Sequence, residues 1–383
     1  MWRQIKTALH TAISHQLNYN SPQGSTMLST ISNAIKMSWQ RAKDENALSF
    51  SQQLKEMLIL QLKTGFGPGN YHKYLLWQKN MSWQQKLGYW HDQKYYRFLN
   101  KVNPLNYRML ARNKVMAKAI LKFYNIPDAE YLGYLSAAGG FKADGSPLNS
   151  AEQLAAFLEQ RPDLDRICFK PVDGSGGEGF CAIEIDRSND ILFRELGKSM
   201  TVPIADFLRQ ALKVDQGCDY IIEKYLQQHP ALAAFNPSSL NTLRVWVGKA
   251  INGTPKIIAI YLRVGRSGQL IDNKAAGGFG VSVDMDSFKT AMLLPPDNND
   301  HCYARHPDSG ENMIDRQLPF QQEVIALAER VVSILPNTRF VGLDIALTPE
   351  RPVIIEFNFA PTATGTTKMN ASHQQLLGWL NQS

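Results

Sequence analysis

The sequence predicts an α+β protein in which a mainly helical first part precedes two α+β layers. Three observations predict it. Apolar residues recur at helical spacing up to about residue 108, short strands and helices alternate from about residue 109, and longer strands follow residue 238. Runs of strands with helices between them favour α+β layers over a regular parallel array.

The element boundaries follow from apolar periodicity and from glycine and proline breaks. Helices are predicted around 2–17, 25–46, 51–64 and 82–99, and a basic helix over Met109–Tyr124. Later helices are predicted near 150–160, 203–213 and 320–335. The predicted strands are Tyr131–Leu135, Ile167–Pro171, Gly179–Ile185, Tyr220–Lys224, Asn241–Lys249, Lys256–Val264, Thr338–Leu347 and Val353–Phe359.

The positive charge of the chain is concentrated in its first part. The 383 residues carry a formal net charge of +7. Residues 1–108 hold 14 Lys and Arg against 4 Asp and Glu, a balance of 14 − 4 = +10, so the remainder carries 7 − 10 = −3. Five of the seven tryptophans also lie there: Trp2, Trp39, Trp77, Trp83 and Trp90. This asymmetry predicts a boundary near residue 108. It also indicates that the first part meets an anionic surface; the alternative is that its aromatic residues pack the helices on the core and its lysines form a solvated face.

Cysteine spacing and hydropathy bear on the compartment. The four cysteines show no CxxC pairing, and we interpret them as small buried residues in a reducing compartment. They are Cys168, Cys181, Cys218 and Cys302. No run of eighteen apolar residues is present, and the N-terminus lacks the apolar stretch of a secretory signal. We therefore expect a cytoplasmic protein, and the basic first part leaves open a position peripheral to the inner face of the membrane.

The first candidate motif is CFKPVDGSGGEGF, Cys168–Phe180. A strand brings Lys170 to a turn rich in glycine, and a second strand follows. Glycines let backbone N–H groups approach phosphate oxygens, while a lysine supplies a positive charge. The motif lacks GK[ST] and a following helix, so it is not a Walker A loop. A plain glycine-rich hairpin with a surface lysine explains this motif equally well.

The second motif is VGLDIALTPERPVIIEFNFAP, Val341–Pro361, and it is the most specific. Glu356 and Asn358 are two residues apart on one strand and therefore face the same side. If the hairpin pairs around its short turn, Asp344 reaches that side as well. Two carboxylates and an amide oxygen are hard ligands of the kind that hold Mg²⁺ against nucleotide phosphates. The pattern predicts a magnesium site.

The third motif is YIIEKYL, Tyr220–Leu226. An apolar strand that ends in Glu223, Lys224 and Tyr225 can offer backbone N–H and C=O groups to an adenine edge, with Glu223 accepting from the exocyclic amine. An ordinary strand end is the alternative interpretation.

These three motifs, in this order, resemble the ATP-grasp superfamily. The likeness extends to Asn113-Lys114, to NTLRVWVGKA and IIAIYLRVG (Asn241–Ala250 and Ile257–Gly265), and to DNKAAGGFG (Asp272–Gly280). The combination of NPSSLNTLR with a late GLD…EFN is most similar to the sugar-transfer-associated ATP-grasp family. The resemblance spans about residues 109–370.

The resemblance implies an ATP-grasp fold with one subdomain over 109–225 and a second over 226–383, after the helical region 1–108. It also implies the site residues. Those expected to bind ATP are Lys114, Lys170, Gly174, Ser175, Gly176, Gly177, Glu223, Lys224, Tyr225 and Leu226. Two Mg²⁺ ions are expected on Asp344, Glu356 and Asn358, bridged by Glu356. The residues expected to act in catalysis are Arg244, Arg263 and Asn273, although strand-face ion pairs are an alternative role for the two arginines.

The activity that the resemblance implies is ADP-forming ligation, in which a carboxylate becomes an acyl phosphate and is attacked by an amine, in cell-surface glycan or sugar-conjugate synthesis. Two alternatives stay open: an ATP-dependent kinase or synthetase that makes no amide bond, and a nucleotide- or nucleic-acid-binding module without catalysis. No helix-turn-helix, RRM or zinc signature supports the last. The expected partners are a small-molecule or sugar-linked carboxylate and an amine, no nucleic acid, and an anionic glycan or membrane surface docked by residues 1–108.

Overall fold

The structure is a computed structural model that describes residues 27–174, 176–188, 190–273, 276–294, 304–369 and 371–381. The chain divides into two compact units between Trp83 and Gln84. The helix predicted over 2–17 lies outside the described residues. Within the described residues, no helix combines the length and the apolar composition needed to cross a membrane.

The described residues of the first unit are helical. Their helices are α1 (Met27–Arg41), α2 (Phe50–Thr64) and α3 (Pro68–Lys73). Helix α2 begins after Ser49, which forms a reciprocal capping box with Gln52. It ends at Gly65, where φ is 69°, a left-handed value that glycine adopts at low cost. The glycine-rich break at 65–69 therefore terminates a helix, as predicted.

Four helices open the second unit: α4 (Trp83–Leu87, which starts at the division), α5 (Asp92–Val102), α6 (Leu105–Arg112) and α7 (Lys114–Phe123). The single helix predicted over Met109–Tyr124 is thus two helices. The break occurs at Asn113, whose backbone is extended and whose side chain accepts a hydrogen bond from the Met116 N–H at 3.1 Å. Asparagine is a favoured N-cap residue, so Asn113 ends α6 and starts α7.

A seven-stranded sheet follows. Its strands are β1 (Tyr131–Leu135), β2 (Phe141–Lys142), β3 (Arg166–Pro171), β4 (Cys181–Asp186), β5 (Leu192–Glu195), β6 (Thr201–Pro203) and β7 (Tyr220–Lys224), in the order β2-β1-β7-β3-β4-β5-β6. All its pairings are antiparallel. Helix α8 (Ala151–Glu159), helix α9 (Ile204–Asp206) and the adjoining π-helix Phe207–Ala211 contribute apolar side chains to one core with the sheet.

A six-stranded antiparallel sheet makes the second layer. Its strands are β8 (Thr242–Lys249), β9 (Pro255–Val264), β10 (Phe279–Val283), β11 (Thr290–Leu294), β12 (Phe340–Leu347) and β13 (Pro352–Asn358), in the order β11-β10-β9-β8-β12-β13. The remaining helices are α10 (Pro230–Ala233), α11 (Gln321–Ile334) and α12 (His373–Leu377), with 3₁₀ turns at Val214–Gln216, Ala363–Met369 and Gly378–Asn381. Helix α11 buries Val324, Ala328 and Val331 in the core of this sheet. The predicted α+β architecture is confirmed.

Helix α5 and the residue after it are hydrogen-bonded to the second sheet and the segment that follows it. For this reason the compact units divide between Trp83 and Gln84, before the predicted boundary at residue 108. The Asn103 side chain donates to the carbonyl oxygens of Phe340 at 2.5 Å and Phe359 at 2.7 Å. Its oxygen accepts from the Arg339 and Phe340 N–H groups. The Tyr95 hydroxyl donates to the Pro361 carbonyl at 2.6 Å. Residues 84–108 therefore pack with the strands that carry the predicted metal ligands.

Candidate nucleotide and metal site

The hairpin β12–β13 brings Asp344 directly opposite Glu356, and Gly342 opposite Asn358. Cross-strand partners project from the same face of a sheet, so the three predicted metal ligands share one face. The hairpin thus pairs as the sequence predicted. The Asn358 side-chain oxygen accepts from the Ala360 N–H at 2.8 Å and keeps a second lone pair.

Two arginines, one on the neighbouring strand β8 and one on β9 beyond it, bind Asp344. Arg244 lies opposite Asp344 on β8, and its guanidinium donates to both carboxylate oxygens, with Nη2 2.9 Å from Oδ2. Arg263 on β9 donates to the same Oδ2 at 2.8 Å and places Nη2 2.6 Å from Asp272. Asp272 also accepts from the Thr242 backbone and hydroxyl. Buried carboxylates therefore fix the orientation of both predicted catalytic arginines.

The pKa values of the two carboxylates of the hairpin are shifted in opposite directions. Burial, and then the neighbouring Asp344, raise the pKa of Glu356 above its ordinary value. Burial would also raise the pKa of Asp344, but Arg244 and Arg263 hold that pKa below its ordinary value. A cation bound to Glu356 would therefore reduce the repulsion between the two carboxylates, and it would stabilise the Glu356 charge as the arginines stabilise that of Asp344.

This donor set fits magnesium. Carboxylate and amide oxygens are the hard ligands that Mg²⁺ takes, and the buried Glu356 carboxylate is stabilised by a nearby positive charge. Among the described residues, no three His, Cys, Asp or Glu side chains form a group that could hold a metal ion. A magnesium ion on Glu356 and Asn358 would complete its shell with water and phosphate oxygens, as Mg²⁺ usually does.

Lys114 is the first residue of α7, and it lies against the predicted phosphate loop. Its backbone N–H donates to the Val172 carbonyl at 3.0 Å, and its ammonium donates to the Gly174 carbonyl at 3.2 Å. Burial lowers the pKa of Lys114, while Glu356 acts in the opposite direction. Lys114 therefore joins helix α7 to the loop and interacts electrostatically with the carboxylate hairpin.

Lys170 and Glu223 form a buried ion pair between β3 and β7. Lys170 Nζ lies 2.5 Å from one Glu223 oxygen, and Lys118 Nζ lies 2.5 Å from the other. The Glu223 side chain is only 1% exposed, whereas that of Lys170 is 15% exposed. Burial would raise the pKa of Glu223, but the two lysines hold it below its ordinary value. Glu223 is thus an ionised acceptor behind Lys170, and its contact with adenine stays a prediction.

The backbone of the predicted adenine hinge is already partly engaged. The Lys224 N–H donates to the Glu130 carbonyl and the Tyr225 N–H to the Arg166 carbonyl, both at 3.0 Å. The Leu226 N–H makes no hydrogen bond within the described part of the chain. Leu226 is therefore the residue of this segment whose backbone donor is available to a base edge.

The glycine loop lies close to the segment between β9 and β10, at Ile271 and Asn273. Gly176 and Gly177 have φ of 70° and 74°, the left-handed region that glycine favours. A Cβ on Gly177 would lie 2.7 Å from the Ile271 side chain, so this close approach also requires glycine. Asn273 donates from its side chain to the Gly176 carbonyl and accepts from the Ala276 N–H at 2.9 Å. Asn273 thus contacts the loop. The predicted Ser175 lies outside the described residues.

Lys118 is the residue that sequence reasoning missed. It follows Lys114 by four residues on α7, a spacing that puts both on one face of the helix. This spacing was the signal in the sequence that could have identified Lys118. Gln228 and His229, which follow the hinge segment in the sequence, are engaged within the protein. Gln228 bonds to Asn236, Ser239 and Asn241, and His229 caps α10.

The two antiparallel sheets, the glycine loop between β3 and β4, and the carboxylate hairpin at the end of the chain define a protein of the ATP-grasp class. The family described as sugar-transfer associated ATP-grasp matches residues 93–378. The chain belongs to this family, as its sequence predicted. No curated protein matches the chain.

Solved structures with similar folds are distant in sequence. The ADP complex of purK, N5-carboxyaminoimidazole ribonucleotide synthetase, is 14% identical with a TM-score of 0.38, over 67% of this chain and 48% of that one. D-alanyl-alanine synthetase A from Vibrio cholerae O1 biovar eltor is 14% identical with a TM-score of 0.40, over 71% and 61%. D-cycloserine synthetase DcsG is 13% identical with a TM-score of 0.39, over 72% and 70%. The chain spans about half the length of the first of these proteins.

Proposed function

We propose that the chain is an ADP-forming, ATP-dependent ligase that activates a carboxylate as an acyl phosphate and transfers the acyl group to an amine. The observation that carries the proposal is the opposed Asp344–Glu356 pair, whose Asp344 binds Arg244 on the adjoining strand β8 and Arg263 on β9, the strand beyond it. Such a site combines ligands for a metal with fixed positive charge. Membership of an ATP-grasp family supports the nucleotide as ATP.

Glu356 and Asn358, with Asp344 from the facing strand, would hold two magnesium ions. Magnesium, when bound, would neutralise phosphate oxygens and stabilise the charge that develops on the transferred phosphoryl group. The Asp344 oxygens also accept from the two arginines, so Glu356 has more lone pairs left for a cation. Asp344 then couples the metal ligands to the arginines.

Lys114 and Lys170 would bind the α- and β-phosphates, because each ammonium lies beside the strand or loop that leads into the glycine turn. The Gly174–Gly179 loop would close over the β- and γ-phosphates, and Asn273 would hold it through the Gly176 carbonyl. Closure excludes water, which would otherwise hydrolyse an acyl phosphate. The Leu226 N–H, with Glu223 behind it, would contribute to the adenine site.

Arg244 and Arg263 would act on the acyl group. Their guanidinium groups are held by Asp344 and Asp272, so their orientation is set before a substrate arrives. Donors fixed in this way stabilise the negative oxygen that forms when the amine attacks, without reorganisation during the reaction. The carboxylate oxygen would attack the γ-phosphorus in line and displace ADP, which forms the acyl phosphate. The amine nitrogen would then attack the carboxyl carbon, inorganic phosphate would leave, and the nitrogen would lose a proton to solvent.

An oxygen-transfer experiment tests the chemistry. When the substrate carboxylate carries ¹⁸O, we expect one ¹⁸O atom in the released phosphate, because the carboxylate oxygen forms the bond to phosphorus and leaves with it. Mass spectrometry of the phosphate measures the transfer, with unlabelled carboxylate as the control. Release of AMP and pyrophosphate in place of ADP would contradict the proposal.

Two alternatives differ in measurable ways. An ATP-dependent kinase or synthetase would release ADP with its acceptor but would need no amine. A binding module would hold nucleotide without releasing ADP. Dependence of ADP release on both a carboxylate and an amine supports the ligase alone.

The family's description as sugar-transfer associated supports a role in glycan or sugar-conjugate synthesis, and we propose a cytoplasmic enzyme in that role. Most of the aromatic residues that the structure describes in the first part are unavailable for stacking on a sugar or lipid surface. The buried ones include Tyr71, Tyr74, Trp77, Tyr89, Trp90 and Tyr95. Trp39 is 61% exposed and Tyr96 is 50% exposed. Any docking on an anionic glycan or membrane surface would therefore depend mainly on lysines.

Electrostatic docking should depend on salt. We expect the full chain to bind vesicles with anionic lipid, or anionic oligosaccharides, at low ionic strength and to release them well above physiological strength, where screening acts within about 8 Å. Replacing the exposed Lys36, Lys43, Lys55 and Lys63 by glutamine should remove the binding. Cosedimentation and calorimetry measure it. Binding that survives both high salt and the substitutions would rule out this form of docking.

A further inference from the structure

Lys118 lies at the centre of a buried row of alternating charges. Its ammonium is 2.5 Å from Glu223 Oε1 and 2.8 Å from Asp128 Oδ2, and it donates to the Ala129 carbonyl at 2.8 Å. The contacts with Asp128 and Ala129 are hydrogen bonds, and the contact with Glu223 is an ion pair. The other Glu223 oxygen meets Lys170, so the row runs Asp128, Lys118, Glu223, Lys170. Two positive and two negative charges make the row neutral.

The row separates a residue that faces the site from one that does not. The Lys118 side chain is 8% exposed, so a nucleotide in the site would contact Lys170, at 15%, before Lys118. Glu223 is shared between them, with equal distances of 2.5 Å. A carboxylate that is neutralised from behind by one lysine attracts the second lysine less strongly than a carboxylate with no other partner. The charge of Lys170 is therefore only partly cancelled by Glu223.

Lys118 also connects three elements that carry predicted site residues. It lies on α7 behind Lys114, it binds Glu223 on β7, and it binds Asp128. Asp128 forms a β-bridge with Ile354, whose N–H donates to the Pro127 carbonyl at 2.8 Å. Ile354 precedes Glu356 by two residues on β13. One buried ammonium thus joins α7 to β7 and to Asp128, which is bridged to the strand that carries Glu356.

We propose that Lys118 is a positioning residue for the nucleotide triphosphate: it neutralises Glu223 from the side opposite Lys170, so that the Lys170 ammonium keeps positive charge for phosphate. This inference rests on the proposed function. Without Lys118, the Glu223 carboxylate would pair with Lys170 alone, and Asp128 would lose its buried cation. Removal of Lys118 should therefore weaken the binding of ligands that carry phosphates, and it should hardly change the binding of the nucleoside.

The experiment compares Lys118→Met with Lys122→Met, a matched control at an exposed position on the same helix. We expect Lys118→Met to weaken ATP binding about tenfold or more, which is the effect of losing roughly one charge-assisted contact. Adenosine affinity should change by less than about twofold, since the nucleoside carries no phosphate to meet Lys170. Calorimetry measures ATP with magnesium, and an NMR titration measures adenosine. The control should bind both ligands as the wild type does.

A second variant keeps the test valid if Lys118→Met is unstable. Lys118→Met combined with Asp128→Asn removes one charge of each sign, so the row stays neutral while Glu223 is left to Lys170. We expect this variant to fold and still to bind ATP weakly. ATP affinity equal to the wild type, or an equal loss for ATP and adenosine, would overturn the inference. A wild-type chain that binds no ATP would instead overturn the proposed function, and the inference with it.

Discussion

Replacing Glu356 by glutamine is expected to abolish ATP turnover, with a loss of at least about a hundredfold, and to leave the fold intact. The metal contributes several kcal/mol of transition-state stabilisation in such reactions, and glutamine removes both the negative charge and one of the two oxygens that the carboxylate offers to magnesium. Magnesium-dependent ADP release measures the loss. Glu350→Gln, at an exposed position in the turn of the same hairpin, is the matched control. Normal turnover in Glu356→Gln would remove Glu356 from the metal site.

The stability of this variant has an expected sign. The pKa of Glu356 is raised in the folded chain, so the folded state binds its proton more tightly than the unfolded state does. The ionised carboxylate therefore costs stability, and this cost increases as pH rises through the raised pKa. Glutamine carries no charge, so we expect Glu356→Gln to unfold at the same temperature as the wild type or higher near neutral pH. A large fall in melting temperature would mean that Glu356 has a structural role.

Replacing Lys170 by alanine is expected to weaken ATP binding by about ten- to a hundredfold. Alanine supplies no charge beside the triphosphate, and a charge-assisted contact is worth about 1.5–3 kcal/mol. Isothermal calorimetry with ATP and magnesium measures the loss. Lys198→Ala is the control, because its side chain is 63% exposed and pairs only locally with Glu195. Unchanged affinity in Lys170→Ala would reduce the glycine loop to an ordinary hairpin.

The sequence predicted the long elements of the fold well, and the short ones poorly. Strands such as β8, β9, β12 and β13 combine apolar runs with clear breaks, and each predicted strand is present within a few residues. The unpredicted strands β2, β5, β6, β10 and β11 are two to five residues long. Most of these segments contain too few residues to establish a period, although β1 and β7, which were predicted, are also only five residues long. The pairing of short segments depends on neighbours that are distant in the chain.

The residue types of the site could be predicted from the sequence, but the hydrogen-bond and charge partners of those residues were harder to predict. The opposition of Asp344 and Glu356 follows from a short turn, which is local information. The bond between Arg244 and Asp344 joins residues 100 positions apart, and no sequence pattern indicates it. Glu223 was expected at adenine because it lies at the end of an apolar strand, whereas its burial between two lysines depends on how α7 packs against β7. Charge partners of this kind are set by tertiary packing.

The division of the chain shows the same limit. Composition separates a basic, tryptophan-rich stretch up to about residue 108 from the rest. Packing instead assigns residues 84–108 to the second unit, through Asn103 and through the apolar face of α5. Net charge describes what a surface attracts, and it carries little information about which side chains are buried together.

The attachment of Asn103 to the metal strands has a consequence for biosynthesis. Its hydrogen bond to Phe340 joins residues 237 positions apart. Tyr95, Phe98, Leu99 and Val102 of α5 are buried in the finished protein, yet most of the chain must leave the ribosome before β12 and β13 exist to cover them. Contacts of such long sequence separation form late and slowly, and they leave apolar surface open to aggregation meanwhile. Folding yield during synthesis therefore depends on keeping this one helix from associating with other chains until the last strands arrive.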